Sequence, residues 1–190
     1  MLEKLIEGDK NLFLYLNNLG TEPWDAFWMF MSNKWASIPL YLLLLTLSIY
    51  KFGWKRVGLM VIGVALMITA TDQLANFFKY GIGRFRPCHD ETILDQMRLV
   101  KSYCGGKYGY FSAHAANSFA VATFFVLLLK NKFKWIPFLL LAWALLVAYS
   151  RIYIGVHFPL DVVTGISIGM LSGWLFYSLY QLATMKFLKN

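Results

Sequence analysis

Long apolar stretches separated by short polar segments dominate the pattern along this chain. Five stretches approach the length that crosses a bilayer, whose hydrocarbon core needs about 20 helical residues. They are approximately Trp35–Trp54, Val57–Phe78, Ala115–Leu129, Phe133–Tyr149 and Leu160–Ala183. The first is the weakest, because it contains Pro39 and carries Lys51 near its end. The pattern predicts an all-α fold, a polytopic membrane helix bundle.

Residues 1–33 follow a different pattern. The segment NLFLYLNNLGTEPWDAFWMF is apolar but is interrupted by Gly20, Glu22, Pro23 and Asp25. We expect one or two amphipathic helices that lie at the membrane interface. A sixth crossing stays an alternative, so the prediction is five or six transmembrane helices in a single domain over residues 1–190.

Composition agrees with a membrane protein. The chain is 58% hydrophobic and 15% charged, with a mean hydropathy of +0.53, whereas soluble domains are about 45–50% apolar and about 25% charged. The formal net charge is +8. No long basic tail accompanies it, so we expect lipid headgroups as the partner and no nucleic acid.

The basic residues fall on both sides of the predicted bundle. One side carries Lys51, Lys55, Arg56, Lys130, Lys132, Lys134, Lys186 and Lys189. The other carries Lys79, Arg84, Arg86, Arg98, Lys101, Lys107 and Arg151. The positive-inside bias favours the first side as cytoplasmic only if the second set is held for another purpose.

The order of the crossings places three polar groups on one membrane face. Residues 79–87 close the second span, residues 112–114 open the third, and residues 151–161 follow two crossings later. We therefore expect the three groups to meet.

Each group can be interpreted either as part of a phosphate site or as an ordinary structural feature of a membrane helix end. Lys79, Arg84 and Arg86 offer cationic donors to phosphate oxygens. Alternatively, they form the basic end of a membrane helix, and their side chains extend to the lipid headgroups. Ser112 is a natural N-cap at a helix end that favours anions. His114 beside it can protonate a leaving oxygen, or it is an ordinary interfacial histidine.

The third group is SRIYIGVHFPLD, residues 150–161. Arg151 can bind phosphate, and Pro159 favours the first turn of the last helix. Asp161 is then about one turn from His157, where it can accept the ring N–H and orient the imidazole. Its alternative role is a simple helix cap. The meeting of all three groups on one face favours phosphate chemistry over coincidence.

These residues form three motifs in order: K-x6-R-P (Lys79, Arg86, Pro87), S-x-H (Ser112, His114) and S-R-x5-H-x3-D (Ser150, Arg151, His157, Asp161). They resemble the signatures of the type 2 phosphatidic acid phosphatase superfamily. The second motif is usually Pro-Ser-Gly-His in that family, and here it is Phe-Ser-Ala-His.

The resemblance implies a reaction and a role for each residue. His157 would be the nucleophile that forms a phosphohistidine, Asp161 would orient it, and His114 would protonate the leaving group. The phosphoryl oxygens would be held by Lys79, Arg86, Ser112, the Ala113 N–H and Arg151. No cofactor and no metal would be needed; Asp90, Glu91 and Asp95 lack a liganding pattern and suit a solvated surface.

The resemblance also implies a substrate class, which is a lipid phosphate or diphosphate in the bilayer. The candidates are undecaprenyl diphosphate, which we favour, phosphatidylglycerol phosphate, phosphatidic acid and lipid A. A phosphotransferase with the same site and a non-catalytic lipid-binding or transport protein are the alternatives. The expected location is the bacterial inner membrane, with the site facing the periplasm or exterior.

Further residues qualify this prediction. Asp72 and Asn76 lie late in the second span, where they can support the basic site. Cys88 and Cys104, within the outer active-site loop of residues 79–114, form either a disulfide, two thiols or, with His89, a metal site. Gly165, Gly169 and Gly173 form a stripe of small residues, which favours close packing within one subunit over a homodimer interface.

Overall fold

A computed structural model describes residues 1–188 of the chain, so Lys189 lies outside the described residues. Six α-helices carry the fold: α1 (Leu2–Asn18), α2 (Glu22–Met31), α3 (Ile38–Ile82), α4 (Ala113–Leu129), α5 (Ile136–Tyr153) and α6 (Pro159–Phe187). Three short 3₁₀ helices accompany them, Lys34–Ser37, Pro87–His89 and Leu94–Gln96. The fold within residues 1–188 is all-α, as predicted.

Helix α3 supplies two membrane crossings rather than one. It is interrupted at Gly53, whose φ of 74° and ψ of 167° are not helical and suit a residue without Cβ. The arms before and after Gly53 pack side by side. Tyr41 and Leu44 of the first arm line the same groove as Val64 and Ile68 of the second arm. With the two arms of α3 counted separately, the bundle has the five crossings predicted.

Length and hydropathy support these crossings. The stretch Lys34–Ile82 and helices α5 and α6 are long and apolar enough to span a membrane, and α4 is a shorter apolar helix of 17 residues. Helices α1 and α2 have 17 and 10 residues and are not among these spans. The alternative of a sixth crossing is therefore not observed in residues 1–188.

Helix α4 is the centre of the bundle. Most of its side chains are buried, and it packs against α3, α5 and α6. The contact with α6 is close because Gly165, Gly169 and Gly173 face α4; a Cβ built on Gly169 would lie 2.3 Å from the Ala116 carbonyl oxygen. This stripe packs against α4 within the subunit, which is the arrangement that the sequence favoured, and the homodimer stays an untested alternative.

Helix α1 is attached to the end of the bundle where the polar loops meet. Phe13 is fully buried, and its ring packs edge-on against Phe158 with 5.3 Å between centroids. Asn17 donates hydrogen bonds to the carbonyls of Ile152 and Tyr153, at 3.1 and 2.9 Å. The opposite face exposes Leu5 and Leu12; an interfacial amphipathic role for residues 1–33 stays a prediction.

Candidate active site

One cavity collects the chemistry-bearing residues of all three polar groups. It has a volume of about 560 Å³ and is bounded by α3, α4, α5 and the loops above them. Its lining includes Lys79, Arg86, Ala113, His114, Arg151 and His157. Residues that are up to 78 positions apart in sequence therefore share one space, as the order of the crossings predicted.

The turn between α5 and α6 presents His157 to this cavity. Helix α5 continues to Tyr153, so the predicted end at Tyr149 is too early and Arg151 lies in the last helical turn. Gly155 then reverses the chain with a φ of +83°. The Arg151 carbonyl accepts hydrogen bonds from the N–H groups of Val156 and His157, at 3.1 and 3.3 Å, and this fixes the turn.

Arg151 is buried, with 5% of its surface exposed. Its guanidinium donates to the Ser32 hydroxyl, and its Nε has no hydrogen-bond partner among the described residues. A buried charged donor without a partner is costly unless an anion completes it. This orphaned Nε in a cavity wall therefore suits a bound phosphate oxygen.

Asp161 lies behind His157 and is fully buried. Helix α6 begins at Pro159, as predicted, which places Asp161 Oδ2 3.5 Å from His157 Nδ1. The same oxygen accepts the Phe158 N–H at 3.1 Å. Asp161 thus caps α6 and faces the imidazole, but Nδ1 has no hydrogen-bond partner among the described residues, so acceptance of the ring N–H by Asp161 stays a prediction.

Burial and the nearby positive charges favour the neutral form of the His157 ring. Burial, followed by the positive charges of Arg151, Arg86 and Lys79, holds the pKa of His157 well below its ordinary value of 6.5. A ring proton on Nδ1, which faces Asp161 at 3.5 Å, would leave the lone pair of the neutral ring on Nε2. A neutral imidazole of this kind can act as a nucleophile at neutral pH.

The start of α4 brings His114 to the cavity. Ser112 caps the helix, since its hydroxyl accepts the Ala115 N–H at 3.4 Å. Its own N–H donates to the Asp161 carbonyl at 3.0 Å, which joins the first turns of α4 and α6. Ser112 is fully buried and is absent from the cavity lining, whereas Ala113 and His114 belong to it.

Arg86 is fixed by the far side of the outer loop. Its Nε donates to the Tyr108 carbonyl at 3.1 Å, and Nη1 donates to the Cys104 carbonyl at 3.4 Å. Cys88 and Cys104 are joined as a disulfide with 6.3 Å between their Cα atoms. Both sulfurs are therefore committed to each other, which leaves His89 as the sole free ligand of the metal group considered above.

Asp9 was not identified from the sequence, and Arg84, which was predicted among the cationic donors to phosphate, is paired with carboxylates instead. Arg84 faces away from the cavity and bridges two carboxylates: it donates to Asp161 Oδ1 at 2.7 Å and to Asp9 on α1. Asp9 also accepts the Leu160 N–H at 2.9 Å. The sequence signal that could have identified Asp9 is the helical repeat of α1. Asp9, Phe13 and Asn17 are spaced four residues apart and lie on the one buried face of an otherwise exposed helix.

The supporting residues predicted on α3 have separate positions. Asp72 lines the cavity and accepts a hydrogen bond at 2.8 Å from Asn117 on α4, another cavity residue. Asn76 is exposed and is not part of the lining. Only Asp72 is therefore placed to influence a bound molecule.

An apolar groove of about 310 Å³ adjoins the cavity. It lies between the two arms of α3 and α4, and its walls are Tyr41, Leu44, Leu45, Met60, Val61, Val64, Ala65, Ile68, Val121 and Phe125. Tyr41 and Ile68 line both spaces. The polar cavity and the apolar groove together suit a molecule with a phosphate at one end and hydrocarbon at the other.

Comparison with known proteins gives consistent results. The family model described as the PAP2 superfamily matches residues 58–185. The chain is 37% identical over 179 residues to the lipid A 4'-phosphatase of Bacteroides thetaiotaomicron, which covers 93% of this chain and 79% of that protein. It is 31% identical to the undecaprenyl-diphosphatase of Sulfolobus acidocaldarius, over 94% of this chain and 83% of that protein.

A solved structure has the same fold. The crystal structure of the first transmembrane PAP2-type phosphatidylglycerolphosphate phosphatase from Bacillus subtilis superposes with a TM-score of 0.73. The alignment covers 94% of this chain and 87% of that chain at 20% identity, so it bears on the fold alone.

Proposed function

The chain belongs to the PAP2 superfamily and is a membrane lipid phosphatase, and from this premise we propose how it works and on what. The observation that carries the proposal is the single cavity where two histidines and three cations meet, which adjoins an apolar groove at Tyr41 and Ile68. The cations match a phosphate, and the groove matches the hydrocarbon of a lipid that stays in the bilayer.

The first step transfers the phosphoryl group to the protein. His157 Nε2 attacks phosphorus, and the bond from phosphorus to the leaving oxygen breaks as the N–P bond forms. His114 gives its proton to that oxygen. Lys79, Arg86 and Arg151 hold the other oxygens of the phosphoryl group as charge shifts in the transition state.

The second step releases phosphate. Water attacks phosphorus, the N–P bond breaks, and His114, now neutral, accepts a proton from the water. Asp161 keeps Nδ1–H of His157 in place throughout and offsets the positive charge that the ring carries as phosphohistidine. The charge stabilisation comes from the protein's own cations, so the mechanism needs no metal ion.

Lipid A is the first candidate substrate, ahead of the undecaprenyl diphosphate that the sequence favoured. The support is the degree of likeness: the lipid A 4'-phosphatase is 37% identical and the undecaprenyl-diphosphatase 31%. Both substrates fit a cationic cavity with an apolar extension.

We place the site on the periplasmic face of a bacterial inner membrane. The disulfide between Cys88 and Cys104 borders the site and suits an oxidising compartment. Lys55 and Arg56 line a polar recess with Phe187 at the other end of the bundle, where positive residues indicate the cytoplasm.

A phosphate-release panel tests this proposal. Lipid A, a polyprenyl diphosphate, phosphatidylglycerol phosphate and phosphatidic acid are offered to the protein in detergent with a chelator. We expect phosphate release from at least one lipid, fastest from lipid A, and a loss of about 1000-fold or more in His157→Ala, because a missing nucleophile is not replaced by its neighbours. The variant should keep the elution profile and thermal transition of the parent.

The other outcomes are informative. Normal turnover by His157→Ala would refute its role as nucleophile. Binding without release would indicate a lipid-binding protein, and phosphate recovered on an acceptor lipid would indicate a phosphotransferase.

A further inference from the structure

A second, smaller cavity opens beside the catalytic one. Its volume is about 320 Å³, and its walls are Met29, Ser32, Asn33, Lys34, Lys101, His114 and Ile154. Ser32, Asn33, Lys34 and His114 also line the catalytic cavity. The two spaces therefore meet at His114, and we call the smaller one the rim cavity.

The rim cavity has an uncompensated positive charge. Neither Lys34 nor Lys101 forms an ion pair within residues 1–188, and no carboxylate lines this space. The neighbouring cations are paired: Lys10 with Asp90, Arg84 with Asp9 and Asp161, and Arg98 with Asp25. The two lysines of the rim cavity thus have no carboxylate partner among the described residues, as is also true of Lys107 elsewhere on this face, and Lys34 Nζ lies 5.0 Å from the centroid of the Trp35 ring.

Both lysines belong to segments that are tied to the bundle. Lys34 begins a 3₁₀ turn that Asn33 caps, with its side chain accepting the Trp35 N–H at 3.0 Å. Lys101 follows Arg98, whose backbone N–H donates to Asn17 at 2.7 Å and whose guanidinium pairs with Asp25 at 3.0 Å. The charge of the rim cavity is therefore held in place rather than carried on free tails.

The position of the rim cavity fixes which part of a substrate reaches it. In an in-line displacement the nucleophile and the leaving oxygen lie on opposite sides of phosphorus. His157 lines only the catalytic cavity, whereas His114, which protonates the leaving oxygen, borders both. The rim cavity beyond His114 is therefore placed to receive the headgroup part of the leaving molecule, while its hydrocarbon occupies the apolar groove.

We propose that Lys34 and Lys101 bind a second phosphate, carried by the leaving group of the substrate. This inference rests on the proposed function and narrows its substrate class to lipids with two phosphates. Two lipid chemistries supply such a leaving group. In a lipid diphosphate the leaving group is the lipid monophosphate itself, and in a bisphosphorylated lipid the second phosphate lies elsewhere on the headgroup.

The same bond changes serve both chemistries. The bond between His157 Nε2 and phosphorus forms, the bond from phosphorus to the leaving oxygen breaks, and the proton of His114 goes to that oxygen. With a diphosphate the product is a lipid monophosphate, and with a bisphosphorylated lipid it is the alcohol that retains the remote phosphate. In each case Lys34 and Lys101 stabilise negative charge on the departing molecule.

The test compares matched substrates that differ by one phosphate. One pair is a polyprenyl diphosphate and its monophosphate, and the other is lipid A with both phosphates and lipid A that retains only the 4'-phosphate. The measured quantity is the ratio of kcat/KM for the two-phosphate lipid to that for its partner. Lys34→Met with Lys101→Met removes both charges while keeping chain length, and Lys107→Met, an exposed lysine outside both cavities, is the control.

We expect the double variant to lower this ratio by about tenfold or more, because each charge-assisted contact to a phosphate is lost. The pair that responds identifies which of the two chemistries the rim cavity binds. The control should keep the parent ratio. An unchanged ratio in both pairs would overturn the proposal while leaving the phosphatase intact. Absence of release from every lipid by the parent protein would instead refute the proposed function, and this inference with it.

Discussion

His157 is surrounded on three sides, and each contact has a distinct consequence for its reactivity. Burial and the cations of the cavity disfavour its protonated form, Asp161 faces Nδ1, and the turn at Gly155 aims the ring into the cavity. The ring is thereby neutral and oriented before any substrate arrives. Such preorganisation removes a cost that would otherwise add to the activation barrier.

The pH dependence of the reaction should reflect this environment. Because the pKa of His157 is well below 6.5, the nucleophile stays neutral as pH falls to 6.5, and the acid limb of kcat/KM should lie below that value. Arg86→Gln removes one of the charges that lower this pKa, so the limb should move to higher pH. Lys107→Gln should leave it in place.

The measurement is a pH profile of kcat/KM, corrected for the ionisation of the substrate phosphate as followed separately by phosphorus NMR. A corrected limb centred at or above pH 6.5 in the parent protein would contradict the assigned state of His157.

Asp9 is linked to the proposed nucleophile through two other residues. It pairs with Arg84, Arg84 pairs with Asp161, and Asp161 Oδ2 lies 3.5 Å from His157 Nδ1. We expect Asp9→Asn to lower kcat by about tenfold, since a buried ion pair loses one partner, with KM nearly unchanged because the phosphate-binding cations are untouched. Glu7→Gln, an exposed change on the same helix, is the matched control.

The comparison of the change in kcat with the change in KM distinguishes a positioning role of Asp9 from a structural defect. An equal loss of kcat in a partly unfolded Asp9→Asn protein, or a rise in KM without a change in kcat, would argue against this chain of contacts.

At the scale of elements, the pairing of α4 with α6 sets the distance between the two histidines. His114 lies in the first turn of α4, while His157 and Asp161 flank the start of α6. The glycine stripe lets the two helices approach closely, and the bond from Ser112 N–H to the Asp161 carbonyl joins their ends. Any change that separates the helices therefore also separates His114 from His157.

Gly169→Ala tests this coupling. Its Cβ would meet the Ala116 carbonyl oxygen at 2.3 Å, so we expect a loss of about 1–3 kcal/mol in the free energy of unfolding and a fall in kcat. Gly63→Ala in α3, where a Cβ meets nothing within 4 Å, should leave both unchanged or raise stability slightly. Equal behaviour of the two variants, in denaturation and in phosphate release, would contradict the role of the stripe.

At the scale of the whole molecule, the loops of one face form a single connected assembly. The disulfide joins Cys88 to Cys104, Arg86 is hydrogen-bonded to the segment that follows Cys104, and Asn17 ties α1 to the loop at Arg98. The outer loop is thus a rigid wall of the cavity rather than a free connection.

Removal of the disulfide should affect stability and binding together. The bond closes a loop with a sequence separation of 16 residues, which in the chain-entropy model is worth about 3 kcal/mol. We expect Cys88→Ala with Cys104→Ala to lower the free energy of unfolding by about that amount. We also expect KM to rise, because the loosened loop carries the backbone carbonyl of residue 104 that positions Arg86.

A reductant should lower the free energy of unfolding of the parent protein and leave that of the double variant unchanged. Alkylation of both cysteines in protein purified without reductant would contradict the bond and remove its support for a periplasmic site.

The sequence by itself determined the crossings and the face on which the chemistry meets. Hydrophobic length sets each span, because a bilayer core is uniformly thick, and the parity of the crossings then assigns His114 and His157 to the same side. The end of α5 was misplaced by one turn, because Arg151 is polar and yet helical, and its burial depends on partners from elsewhere in the chain.

Only the tertiary structure decided what supports the site. Asp9, Arg84 and Lys34 come from segments that no local pattern connects, and their roles depend on which side chain each one meets across the fold. The physical reason is the sequence distance over which each property is determined. Hydrophobicity and helix length are properties of a local stretch of the chain. An ion pair or a shared cavity joins residues that are distant in sequence, and their sequence separation does not indicate their separation in space.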